Sequence, residues 1–255
     1  MLEFWSERAQ RFGTDPRANA NDVWVREIEI RAVAEVIARC AGEKDRVSVL
    51  DFGCANGFSS LRLADMFPEV DFTAVDINPD MIANAKAGLS KAGLENLAFR
   101  CADVLKDDFG HGFDVIYAIR VFQNMDSLQT QKRYAQALIG LLAPGGRLLF
   151  IESYADGYER LNRDRAELDL PPLPLHPHLT RLTDAFDEFL GARMKSERKD
   201  NPFSSYHLIT RLVYSWYARE MGEDIDYDHP LHRVAAVIPS LGDYGPLRLR
   251  VYRKP

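Results

Sequence analysis

The run Val47-Ser48-Val49-Leu50-Asp51-Phe52-Gly53-Cys54-Ala55-Asn56-Gly57 constrains this chain more than any other stretch. A short apolar segment ends on an acidic residue and passes at once into a glycine-bearing turn, with a helix to follow. Such a turn lets backbone approach a ligand closely and aims helix N–H groups into the same crevice. Asp71–Asp76 and Leu97–Asp103 repeat the pattern, each closing on a carboxylate. Three carboxylates at successive strand ends suit a parallel sheet that holds an adenosine across its carboxyl edge. Asp76 is then placed to accept the ribose hydroxyls and Asp103 the adenine amino group.

The rest of the chain supports that sheet. Phe4, Trp5 and Phe12 mark a short amphipathic helix that Gly13-Thr14-Asp15-Pro16 breaks, and Asn21–Cys40 reads as a second helix. From Val47 onward strands and helices alternate, through Phe113–Val121, a helix near Gln129–Leu142, the stop Ala143-Pro144-Gly145-Gly146, and Arg147–Ile151. This alternation predicts a parallel sheet covered on both faces. Val234–Pro239 and Leu247–Tyr252 read as two strands joined by a turn-rich link, an antiparallel pair. Between lies an insertion, Tyr154–Arg233, with an extended run Leu170–Leu175 and a helix over Ser204–Met221. The expected organisation is a helical lid (1–45), a nucleotide-binding core (46–153), a substrate-binding cap (154–232) and a hairpin completing the sheet (233–255).

These residues together resemble the cofactor site of the class I S-adenosylmethionine (SAM) methyltransferases. The family's first motif, acidic-x-Gly-x-Gly-x-Gly, stands here as Asp51–Gly57 with Ala55 at the middle glycine, where a methyl fits if φ stays negative. The resemblance covers Leu2–Ile151 and the final hairpin. It implies an α/β fold: a seven-stranded, mostly parallel, doubly wound sheet with an antiparallel C-terminal hairpin and a helical insertion between strands 5 and 6. It also implies SAM as cofactor and S-adenosylhomocysteine as product, held by Asp51, Gly53, Cys54, Gly57, Asp76, Ile77, Asp103, Val104 and Arg120. The implied reaction moves a methyl group to a small molecule, with a lean toward a hydroxyl of a sugar or natural-product intermediate. A noncatalytic SAM-binding partner protein would carry the same motifs, and a protein or RNA acceptor also stays open. An NAD dehydrogenase fits less well: the loop is not Gly-x-Gly-x-x-Gly and no second nucleotide-binding half follows.

Acceptor-side candidates follow the later strands. Arg120 suits a methionyl carboxylate or an anionic substrate, and Gln123 and Asn124 suit a polar acceptor. Glu152, after the fifth strand, is either a general base or a structural carboxylate paired with an arginine. For a hydroxyl acceptor, His176, His178 and His207 are the other candidate bases. Tyr154, His178, Tyr206, His207 and Arg211 are candidate substrate contacts. His176-Pro177-His178 lacks a third ligand, so no metal is expected. Phe4, Trp5, Phe12 and Trp24 form either an aromatic lid or helix packing. Leu212, Val213, Trp216 and Tyr217 make an apolar stripe that suits a homodimer. The 255 residues carry a net charge of −6, which disfavours nonspecific nucleic-acid binding. Three scattered cysteines, no membrane-length apolar run and no secretory pattern lead to an expected cytoplasmic location.

Overall fold

The apolar runs become one seven-stranded sheet in the computed structural model, which describes residues 2–110, 112–174, 176 and 178–255. The strands are β1 (Val47–Phe52), β2 (Val70–Asp76), β3 (Leu97–Cys101), β4 (Phe113–Ile119), β5 (Leu142–Ser153), β6 (Lys195–Asp200) and β7 (Leu247–Arg253). Their order is β3-β2-β1-β4-β5-β7-β6. β1 to β5 run parallel, and β7 lies antiparallel between β5 and β6. Strand order therefore reverses between β1 and β4, which opens a crevice at their carboxyl ends.

Period-two alternation sends side chains to two cores. Val47, Val49, Leu149 and Ile151 pack on the face covered by α2 (Trp24–Ala41), α3 (Phe58–Met66) and α4 (Pro79–Ala92). Leu50, Phe52, Leu148 and Phe150 pack on the other, against α5 (Leu128–Leu141) and α7 (Asp184–Gly191). The first helix, α1 (Leu2–Phe12), touches this body only lightly, with Ala9 its one buried residue.

The sheet closes in an antiparallel pair, but the partner of β7 is not Val234–Pro239. That segment belongs mainly to a helix, α10 (Pro230–Val237). Pro230 supplies a ready φ at the first helical position, and His229 Nδ1 accepts the Leu231 N–H at 3.2 Å. Helical spacing buries His232, Ala235 and Ala236 and turns Val234 and Val237 outward. The true partner, Lys195-Ser196-Glu197-Arg198-Lys199-Asp200, carries no apolar residue and so gives no strand signal. It is an edge strand, where charge discourages pairing with other chains.

This strand divides the expected insertion. α6 (Ala155–Glu167) and α7 precede β6; α8 (Ser204–His207), a π-helical turn (Leu208–Val213), α9 (Tyr214–Met221) and α10 follow it. The helix expected over Ser204–Met221 is thus present with a π turn inside. Leu175 of the extended run and Pro177 of the histidine motif lie outside the described residues.

Candidate functional site

The floor of the site is the turn after β1. Gly53 N–H and Cys54 N–H both donate to Val75 O, at 2.8 and 2.9 Å, which ties the turn to β2. Gly53 and Gly57 adopt φ of +80° and +75°. A Cβ on Gly53 would meet Val121 Cγ2 at 2.5 Å, and one on Gly57 would meet Phe99 Cζ at 2.5 Å. Both positions need glycine for conformation and for space. Ala55 does not keep the negative φ expected of it: φ is +49°. This left-handed backbone is held because Ala55 N–H donates to Asp76 Oδ2 at 2.9 Å.

Asp76 braces both sides of the crevice, since its Oδ1 accepts the Asn78 N–H at 2.9 Å. Each oxygen keeps a lone pair for a ligand hydroxyl. Burial raises the Asp76 carboxyl above its ordinary range. Asp51 is buried deeper: Ser60 Oγ (2.5 Å) and Tyr117 OH (2.7 Å) both donate to its Oδ2. Burial pushes it up to about 6, against the pull of these donors and of Arg26.

A cavity of about 590 Å³ opens above this floor, within the range of small-molecule sites. Of the expected cofactor residues, Asp51, Gly53, Cys54, Asp76, Ile77 and Arg120 line it. Gly57 shapes the turn from behind. Asp103 and Val104 fall outside the lining, and Ala102 takes their place. Asp103 turns back to accept the Leu105 N–H (3.0 Å) and pairs with Lys106 (3.1 Å), while Val104 is buried in the core.

The loop after β4 makes another wall. Arg120 has φ +57°, and its Nε lies 2.9 Å from Glu29 Oε1. Arg26, also in the lining, stands 4.0 Å from Glu29 Oε2 and donates to Ser59 Oγ at 2.8 Å. Burial lowers Arg26 to about 10, so it stays protonated at neutral pH. Two guanidiniums thus share one carboxylate. Gln123 and Asn124 line the cavity as expected; Asn124 Nδ2 donates to Arg120 O at 2.7 Å, which fixes its amide. Glu152 does not reach the cavity. It is fully buried and accepts the N–H groups of Val121 (2.7 Å), Phe122 (2.8 Å) and Gln123 (3.2 Å). Burial still pushes its carboxyl up to about 8. Glu152 shapes the loop and cannot touch a substrate.

The insertion contributes less than expected. Tyr154 is buried and donates to Asp187 Oδ1 at 2.6 Å. Tyr206 donates to Asp22 Oδ1 at 2.6 Å and meets His232 Nδ1 at 2.9 Å, and Arg211 pairs with Asp22 Oδ2. His207 is buried and held down to about 3 by desolvation. These four residues dock helices onto the core and lie outside the cavity. His176 is exposed, also outside it. His178 and Thr180 do line the cavity, and Leu2 and Trp5 of α1 cover it. Phe4 packs at a tilt against His178, Phe12 packs near Ala9, and Trp24 packs on the core, so the aromatic lid reduces to Trp5.

Asn19, Arg26, Thr130, Tyr134 and Thr180 also line the cavity, with Glu29 behind them, and no motif in the sequence marks these six. One signal was available for two of them. Arg26 and Glu29 are charged residues three apart within the apolar stripe of α2, where burial demands a partner. Among the described residues no group of side chains could hold a metal ion, and no helix is long and apolar enough to cross a membrane.

The model of a family described as "Methyltransferase domain" matches residues 43–207. A trans-aconitate 2-methyltransferase of Methylobacterium radiotolerans is 36% identical over 118 residues, 46% of this chain and 42% of the relative. A malonyl-[acyl-carrier protein] O-methyltransferase of Ilyobacter polytropus is 30% identical over 137 residues, 54% and 51% of the two chains. The chain thus spans about half the length of these relatives or less. A magnesium protoporphyrin IX methyltransferase from Synechocystis with bound S-adenosylhomocysteine shares the fold, with TM-score 0.62 and 14% identity over 98% of this chain and 94% of its own. An N-methyltransferase from Bradyrhizobium japonicum does so at 0.58, with 13% identity over 98% of each chain. With a glycine turn at the strand reversal, an acidic pair beside it and a family match over most of the core, this chain belongs to the class I methyltransferase-domain family.

Proposed function

We propose that this protein transfers a methyl group from SAM to a small-molecule acceptor, at oxygen. One observation carries the reading: the cavity brings Asp76, Ile77, the glycine turn and the Arg26–Glu29–Arg120 cluster to one wall system. The residues fit the cofactor. A Cβ on Gly53 would collide with Val121, itself a lining residue, while the glycine leaves the turn's backbone free for close approach. Among the described residues, buried Arg26 Nε, Asn19 Oδ1 and Asn124 Oδ1 lack hydrogen-bond partners. Unpaired buried groups of this kind are costly, and a zwitterionic amino-acid moiety offers both the anion and the donors they require.

SAM supplies a methyl group already activated on a sulfonium sulfur. The chain's task is orientation and exclusion of water. Asp76 takes the ribose hydroxyls and Ile77 covers a face of the adenine. Arg26 and Arg120 hold the carboxylate, and Asp51 faces the ammonium. Trp5 shields the cavity from above, and an aromatic face near a cation adds roughly 0.5–2 kcal/mol. Gln123 and Asn124 bind the acceptor. Oxygen as the attacked atom is supported by the relative named as an O-methyltransferase, and a sugar or natural-product hydroxyl is the acceptor we favour. The acidic, disulfide-free chain fits a cytoplasmic enzyme without nucleic-acid partners, and the exposed Val213, Trp216 and Tyr217 suit a homodimer contact.

Calorimetry with SAM, S-adenosylhomocysteine and NAD tests the cofactor, and mass spectrometry of metabolite or glycan extracts incubated with methyl-labelled SAM tests the transfer. Heat from SAM and a labelled product are expected. NAD binding without SAM binding would overturn the assignment.

A further inference from the structure

We propose that His178 is the proton acceptor for the attacking hydroxyl, an assignment that rests on the methyl-transfer reading above. A hydroxyl oxygen must lose its proton as it bonds to carbon, so the cavity needs a base. Among the described residues, Glu152 is enclosed by three backbone N–H groups, His207 is buried in a helix junction, and His176 faces solvent. His178 lines the cavity.

Its placement is built from both sides. Thr180 N–H donates to Gln123 O at 2.7 Å, and Gln131 Nε2 donates to Thr180 O (3.0 Å) and Phe122 O (3.1 Å). These bonds fasten the strap carrying His178 to the loop that presents Gln123 and Asn124. From the opposite side the ring packs on Phe4, centroids 4.8 Å apart, and meets the edge of Trp5 at 6.5 Å. Burial, and then the neighbouring His176, lower its pKa below the ordinary histidine value, which keeps the imidazole neutral and able to accept. Arg8 stands over Phe4, and Arg120 and Asp126 share the cavity wall. As the oxygen–carbon bond forms and the carbon–sulfur bond breaks with its electron pair on sulfur, the hydroxyl proton passes to the ring. The imidazolium then releases it to water.

The test compares the parent, His178→Gln, His178→Gly and His176→Gln, using methyl-labelled SAM with metabolite extract and reading product from pH 5 to 8. Product formation by the parent is expected to fall on the acid side, below the ordinary histidine pKa. His178→Gln should lose about 10²–10⁴-fold and the acid limb with it, with SAM affinity by calorimetry unchanged. Free imidazole should restore part of the loss in His178→Gly, an effect a structural role would not produce. His176→Gln should keep the parent's plateau rate, its acid limb moving only toward higher pH as the charge beside His178 is lost. If SAM binds and product forms but His178→Gln keeps the parental rate and limb, the base assignment falls alone. If SAM gives no heat and no product appears, the methyl-transfer reading falls first.

Discussion

At the residue scale, Asp76 does two jobs that the chain's local geometry ties together. Its two oxygens hold Ala55 N–H and Asn78 N–H, so the same carboxylate that is offered to a ligand also keeps Ala55 in a left-handed backbone. Asp76→Ala is therefore expected to weaken SAM binding by about 1–3 kcal/mol and to loosen the turn. Calorimetry on the folded variant checks it, and parental affinity would sink the ribose role. Glu152 makes a second residue-level test. Its carboxyl is pushed from 4.5 up to about 8 by burial. Between these values the unfolded chain gives up the proton while the folded one keeps it. Stability from this group is thus full below 4.5 and declines as pH rises toward 8. Urea midpoints at pH 5, 7 and 9 should show that decline in the parent, and Glu152→Gln should remove this part of the slope.

At the scale of elements, legibility followed apolar patterning. β1, β2 and β4 alternate or run apolar and end on recognisable turns, so the sequence places them and Asp51, Gly53 and Asp76 follow. β6 is polar throughout because it is an exposed edge, and no periodicity reveals it. α10 misleads for the opposite reason: its β-branched residues face outward and its buried positions are alanines and a histidine. The insertion's polar residues were chemically suggestive, but Tyr206 and Arg211 are spent on Asp22, whose Oδ1 also accepts the N–H groups of Trp24 and Val25 at the start of α2. Residue type alone cannot separate a buried docking network from a substrate pocket. Arg211→Met should expose the difference. Breaking a buried ion pair costs about 3–5 kcal/mol, so thermal stability should fall while SAM affinity at a permissive temperature holds. A stable variant that binds SAM but makes no product would return Arg211 to the acceptor side.

Across the whole molecule, the site is assembled from a rigid sheet edge and a cover that is lightly held. The sheet side is fixed by continuous pairing and two packed cores. α1 buries only Ala9 fully, beside a small cluster with Ala18 and Met81. Trp5 and Phe12 are only partly buried against that cluster, and polar ties add to them: Asn78 Nδ2 donates to Leu2 O and Ser6 Oγ, Asn84 Nδ2 to Ala9 O, and Arg8 to Ala18 O. An element with so little buried apolar area opens at far lower cost than the global fold. Leu2 and Trp5 line the cavity, so we expect α1 to give way as a ligand enters and to gain contacts once one is bound. We expect S-adenosylhomocysteine to slow tryptic cleavage at Arg8 and Arg11 and to change Trp5 emission over the same concentration range. Asn78→Ala, which removes two of the ties and the cap of α4, should speed cleavage in the free protein and narrow the protection. Cleavage at equal rates with and without ligand, in a protein that calorimetry shows to be saturated, would mean that α1 is no lid and that the cavity is entered past Tyr134 and Thr130 instead.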